Sequence, residues 1–172
     1  YKMKFTLDWK EYASIARNAV AEGCVLLKND NALPVKKGSN IALFGRIQFD
    51  YYKSGTGSGG MVNAPYVVSI LDALKEETDI SLNEELLGEY TEWIKSNPFN
   101  KGTGWANEPW CQEEMELSDE LVKRAAEVSD EAVIVLGRTA GEDKDNSAKE
   151  GSYLLTAKEE AMIEKVCKYF KN

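Results

Sequence analysis

The sequence predicts an α/β fold, a three-layer α/β/α sandwich built on a mainly parallel sheet. Short apolar runs bounded by Gly, Asn or Pro alternate with longer segments of helical period, the order expected when helices cross between parallel strands. The run "EAVIVLG" is continuously apolar, as befits a strand covered on both faces. With 172 residues, 43% of them hydrophobic and 29% charged, the chain is large and apolar enough to bury one continuous core.

Each element has its own signal. From Asp8 onward Tyr12, Ile15, Ala16, Ala19 and Val20 share a helical face, with Asp8 as N-cap and Gly23 as stop. "CVLLKN" then reads as a short buried strand, "NALP" as its turn and "NIALFG" as a second strand. A helical stripe runs through Val67, Ile70, Leu71 and Leu74 of "PYVVSILDALKEE", and "DISLN" reads as another strand. Leu86, Leu87, Tyr90, Trp93 and Ile94 predict a helix over 84–95. The Pro, Gly and Asn of "NPFNKGTGWANEPW" mark an irregular loop of a length more common in functional loops. Leu121, Val122, Ala125 and Ala126 share a face over 118–128, ahead of "EAVIVLG". Thr156 and Glu159 form a capping box, from which Met162, Ile163, Val166, Tyr169 and Phe170 carry a helix almost to Asn172. No strand follows it, so the sheet is expected to be incomplete at its C-terminal side and residues 1–172 to be a fragment of a longer protein.

Composition removes several functions. A formal charge of −8 with no basic patch excludes nucleic acid as a partner. No apolar run approaches the roughly 20 residues of a membrane span, and the N-terminus lacks the basic and apolar segments of a signal peptide, so a soluble, cytoplasmic protein is expected. The first residue is Tyr1 rather than Met, which leaves upstream segments open. Cys24, Cys111 and Cys167 are far apart, odd in number and without metal spacing, which suits reduced thiols. The chain has no histidine. Ser-His-Asp and Cys-His hydrolysis and His-ligated metal or haem sites are therefore closed to it unless a partner supplies the imidazole, and acid/base work falls to carboxylates, Lys, Tyr or Cys. No metal and no cofactor are expected.

In an open α/β sheet ligands gather outside the carboxyl ends of the strands, where two loops qualify. The first, "GRIQFDYYKSGTGSGGMVN", contains Gly55, Gly57 and Gly60 in a formal G-x-G-x-x-G. Those glycines come some ten residues after the strand, and Pro65 marks the earliest helix start, whereas a dinucleotide site needs glycines and helix at once. Nucleotide phosphate, a structural glycine loop, and a loop lining a neutral polar ligand or a domain interface all remain open here. The second, "GRTAGEDKDNSAKEGS", gathers Arg138, Glu142, Asp143, Lys144, Asp145, Lys149 and Glu150. It reads either as a solvated charged turn or as the lip of an acid/base site, the latter requiring burial or a like charge to raise one carboxyl pKa.

These residues, in this order, resemble the α/β sandwich domain of family 3 glycoside hydrolases, the β-glucosidase and β-xylosidase group. The likeness starts at "ARNAVAEGCVLLKNDNALPV", continues through "IALFGR", "SGTGSGG" and "VIVLGRTAGEDKDN", and covers essentially the whole chain. It is closest to bacterial β-glucosidases whose sandwich domain precedes the catalytic barrel. The resemblance implies retaining hydrolysis of terminal β-D-glucosyl residues, on a β-glucoside or short β-gluco-oligosaccharide, with Glu142 of "GEDKD" as general acid/base. It further implies that Ser54, Gly55, Thr56, Gly57, Ser58 and Gly59 line a rim facing the barrel. Tyr52, Trp105 and Trp110 stand as sugar platforms or packing residues, and Arg138 as a substrate or interface residue. The nucleophile, an Asp before Trp in the family, is expected in the barrel outside this chain. The "LDW" at Leu7–Trp9 puts Asp8 at a helix N-cap instead. The family's Lys-His substrate pair is absent. Alone, the chain is expected to be inactive. The alternative is a non-catalytic carbohydrate-binding or domain-interaction module of the same fold.

Overall fold

Each segment takes up structure where its polar groups find partners. The computed structural model describes residues 5–52, 56–104 and 106–171. They divide into two units, one ending at Pro34 and the other starting at Val35. In the first, α1 (Trp9–Gly23) starts where expected, since the Asp8 carboxylate accepts from the N–H groups of Lys10 and Glu11, both at 3.0 Å. The strand expected at "CVLLKN" does not form among the described residues: no ladder joins it, and its residues are exposed. Apolar period marks a segment suited to a sheet and cannot supply the neighbour that makes it a strand. The "NALP" turn is present, closed by the Asn29 carboxamide accepting from the Leu33 N–H at 3.1 Å, with Asn31 left-handed at φ 72°.

The second unit is organised by β1 (Asn40–Phe44), flanked in parallel by β2 (Ser81–Leu82) and β3 (Glu131–Ile134), giving the order β2-β1-β3. Register runs Asn40↔Ser81 on one side and Ile41↔Glu131 to Phe44↔Ile134 on the other. The crossover through α2 (Ile70–Glu76) leads from β1 to β2. The return through α3 (Glu84–Ser96) and α4 (Asp119–Val128) passes over β1 to β3. Where such crossovers are right-handed, opposite travel puts their helices on opposite faces, the arrangement of an α/β sandwich.

The sequence points to "EAVIVLG" as a strand covered on both faces, and β1 is the more deeply buried of the two. Ile41, Ala42, Leu43 and Phe44 are at most 4% exposed, whereas every residue of β3 is half-buried. β1 lies between two strands with helices packed on its Ala42 and Phe44 face, and β3 has one strand neighbour among the described residues. Ala42 and Phe44 pack with Leu86 and Tyr90 of α3, Val122 and Ala125 of α4, and Met162 and Val166 of α5 (Ala157–Tyr169). The ring of Phe170 meets Phe44 edge-on at 5.7 Å. Burying one such aromatic ring stabilises the fold by about 1.5–3 kcal/mol.

Side-chain caps set the helix starts. Ser69 and Asp72 form a reciprocal capping box, so α2 begins at Ile70 and the predicted stripe residue Val67 lies before it. Asn83 and Ser118 cap α3 and α4. Thr156 and Glu159 cap α5 as expected, and α5 ends at Tyr169. No helix among the described residues is long and apolar enough to cross a membrane.

Candidate active site

The chain leaves β1 and β3 at the same end of the sheet, and the loops that follow are joined to each other. At the root of the first, the Gly45 N–H donates to the buried Tyr90 hydroxyl at 2.9 Å, and the hydroxyl donates to Met162 Sδ at 3.7 Å. The Arg46 N–H donates to Glu114 Oε2 at 2.9 Å, while Oε1 accepts from Met115 N–H at 2.8 Å. Burial pushes the Glu114 carboxyl up, against those two N–H donors. Sequence reasoning did not single out Arg46 or Glu114. The buried Arg46 guanidinium donates to the Asn97 carbonyl at 3.1 Å and lies 5.8 and 5.7 Å from the rings of Trp93 and Phe99, so it fixes the loop's base. The shared "GR" of the two loops was the available signal.

Arg138 roots the second loop. Its guanidinium grips Glu159 through Nη1 at 2.7 Å and Nη2 at 2.6 Å and donates through Nε to the Ser152 carbonyl at 2.8 Å. Burial pushes the Glu159 carboxyl up, but Arg138 and the Thr156 N–H outweigh it and hold it below the ordinary glutamate range. Arg138 thus ties the loop back to the start of α5.

Farther out, the two candidate loops become one structure. Thr56 pairs with Gly141 in a parallel bridge, its N–H donating to the Ala140 carbonyl at 3.2 Å and its hydroxyl to the Glu142 carbonyl at 3.3 Å. Gly141 and Lys144 exchange main-chain hydrogen bonds at 3.2 and 3.0 Å. This closes a two-residue turn whose tip is Glu142 and Asp143, with Asp143 at φ 61°. A side chain at Gly141, φ 155°, would meet the Thr56 carbonyl oxygen at 2.8 Å, so only glycine permits the approach.

Glu142 is exposed at that tip, and its Oε2 accepts from the Ser58 N–H at 2.9 Å. That donor, with the Ser58 hydroxyl, holds the carboxyl below its ordinary range. Thr56, Gly57 and Ser58 are therefore brought to Glu142, and Gly59 follows on the same 3-10 turn, Gly57–Met61, with open space around it. Trp110 is half-buried behind the turn, with Lys144 Nζ 5.5 Å from its ring and its carbonyl accepting from the Thr139 N–H at 2.9 Å. Tyr52 stands apart from Glu142's contacts, its hydroxyl accepting from Gln112 at 3.3 Å and its ring meeting Phe99 at 5.4 Å. Burial pushes its phenol up. Ser54, Gly55 and Trp105 lie outside the described residues. Among the described residues no group of three His, Cys, Asp or Glu side chains could hold a metal.

A small-residue rim and an exposed carboxylate, joined at the carboxyl end of a parallel sheet, now meet an independent finding. Residues 24–172 match the model of the glycosyl hydrolase family 3 C-terminal domain. The chain belongs to glycoside hydrolase family 3. It is 56% identical over 160 residues to a beta-glucosidase of Ruminococcus albus, covering 93% of this chain and 17% of that protein. A beta-glucosidase structure from Paenibacillus barengoltzii superposes with TM-score 0.88 at 53% identity, covering 96% of this chain and 18% of that one. Beta-glucosidase 3B from Thermotoga neapolitana, in complex with alpha-D-glucose, does so with TM-score 0.81 at 33% identity, covering 96% and 23%. This family 3 domain therefore spans about a fifth of the length of those relatives.

Proposed function

We propose that residues 1–172 are the α/β sandwich domain of a family 3 β-glucosidase, and that Glu142 is the general acid/base of a site completed by a catalytic barrel. The observation that carries this is the presentation of Glu142. It is an exposed carboxylate at the tip of a two-residue turn, beside the rim of Thr56, Gly57 and Ser58. In the retaining scheme Glu142 protonates the glycosidic oxygen while a barrel carboxylate, about 5–5.5 Å away, attacks the anomeric carbon. It then takes a proton from the water that releases the sugar. A proton donor at neutral pH needs its pKa raised, and in this chain alone the Ser58 N–H acts in the opposite sense. Burial beneath the barrel and the nearby second carboxylate supply the upward shift. The glucose held by the Thermotoga neapolitana relative supports a terminal β-glucosyl group as substrate.

The test is Glu142→Ala in the intact enzyme that carries this chain. Turnover of an aryl β-glucoside is expected to fall by about 10²–10⁴, with partial rescue by azide. Unchanged turnover would overturn the assignment in favour of a non-catalytic carbohydrate-binding or interaction module. The 172-residue chain alone is expected to show no enzyme-like turnover.

A further inference from the structure

The contact that holds Glu142 is built from main chain, and its geometry leaves no slack. Gly57 is left-handed at φ 77°, and a Cβ placed on it would stand 2.4 Å from Glu142 Cβ, 2.9 Å from Oε2 and 3.2 Å from Cγ. Real Cβ atoms do not approach other carbons at that distance, so the Glu142 side chain lies in the volume that a residue-57 side chain would fill. The next residue turns its N–H onto the carboxylate at 2.9 Å. Thr56, the residue before, is locked to Gly141 and to the Glu142 carbonyl. Three consecutive residues thus hold one side chain, at its backbone, along its stem and at its carboxylate. An exposed Glu has three freely rotating torsions, and nothing in ordinary packing would select this rotamer.

We propose that Ser58 and Gly57 are positioning residues for Glu142: the Ser58 N–H fixes where the carboxyl points, and the bare Cα of residue 57 leaves the room that it occupies. This rests on the acid/base reading of Glu142. The peptide N–H is the stronger of the two Ser58 donors, so deleting the hydroxyl alone and deleting both have different effects. It also restrains the carboxylate before sugar arrives, which lowers the entropy of reaching a productive geometry.

The experiment uses the intact enzyme. Ser58→Pro removes the N–H and hydroxyl, Ser58→Ala removes the hydroxyl only, and Gly57→Ala drives the Glu142 stem aside. In the pH profile of kcat/KM the protonated acid is lost along the alkaline limb. Deleting a donor to the carboxylate moves that limb to higher pH, further for Ser58→Pro than for Ser58→Ala. Gly57→Ala is expected to lower kcat by at least about tenfold while KM changes by less than roughly threefold. A readout that needs no change in the glycine loop is amide exchange at Ser58, which should quicken by roughly fivefold in Glu142→Ala once the acceptor is gone. Unchanged Ser58 exchange in that variant overturns the proposal, as does a folded Ser58→Pro or Gly57→Ala enzyme with the wild-type alkaline limb and kcat. If Glu142→Ala keeps full turnover, the acid/base reading itself fails, whatever the exchange shows.

Discussion

Arg138 and Glu142 stand four residues apart in one loop and are held in opposite ways. The guanidinium has 22% of its side-chain surface exposed, and its partner carboxylate, Glu159, 5%. Glu142, by contrast, is exposed, and its carboxylate accepts from the Ser58 N–H at 2.9 Å. The first arrangement anchors a loop and leaves no donor edge for a ligand. The second presents a carboxylate to solvent. Charge in a loop is therefore a poor guide to chemistry until one knows which charges the fold has already used.

The contrast can be broken most forcefully at the root. Arg138→Ala leaves Glu159 buried without its counter-charge and is expected to cost about 3 kcal/mol in urea unfolding. A loss too small to detect would mean that the ion pair does not anchor the loop. Acid should sharpen the same comparison. In the wild type the folded Glu159 pKa is depressed, so its contribution is present above the unfolded value, about 4.3, and is lost as pH falls through the folded pKa. In Arg138→Ala burial, the largest influence on that carboxyl, is opposed by Thr156 and no longer by the guanidinium, so the folded pKa is expected to rise above the unfolded one. The variant then regains stability as pH falls, and the wild-type advantage should narrow between pH 7 and pH 4. A gap of constant size would assign the loss to the Ser152 and Gly137 carbonyls instead. At the tip the smallest effect is expected: Glu142→Ala should leave the urea midpoint unchanged, while its turnover collapses.

Much of the frame was legible because it is local. Alternating periods located β1, β2, β3 and the helices, and T-x-x-E located the start of α5. The S-x-x-D of Ser69 and Asp72 was equally local, and reading it would have placed the α2 N-cap at Ser69, beyond Val67. What period could not supply was a partner. It made a strand of "CVLLKN" and did not show that β1 would be more deeply buried than β3, because lateral neighbours are a property of topology. The site divides in the same way. Glu142 was picked out through a family motif, but its seat was not, since Thr56 and Gly141 are brought together from loops that share no local pattern. Glu159 was readable as a cap, while the grip of Arg138 on it was not.

The Thr56–Gly141 bridge has a consequence for how such a domain can diverge. Two ribbons stitched at one rung cannot change length independently. A residue inserted between Gly45 and Thr56 would slide the glycine run past the turn and carry the Ser58 amide off its carboxylate, unless the facing ribbon took up a matching insertion. Changes of loop length are thus cheaper to acquire beyond the rung than inside it.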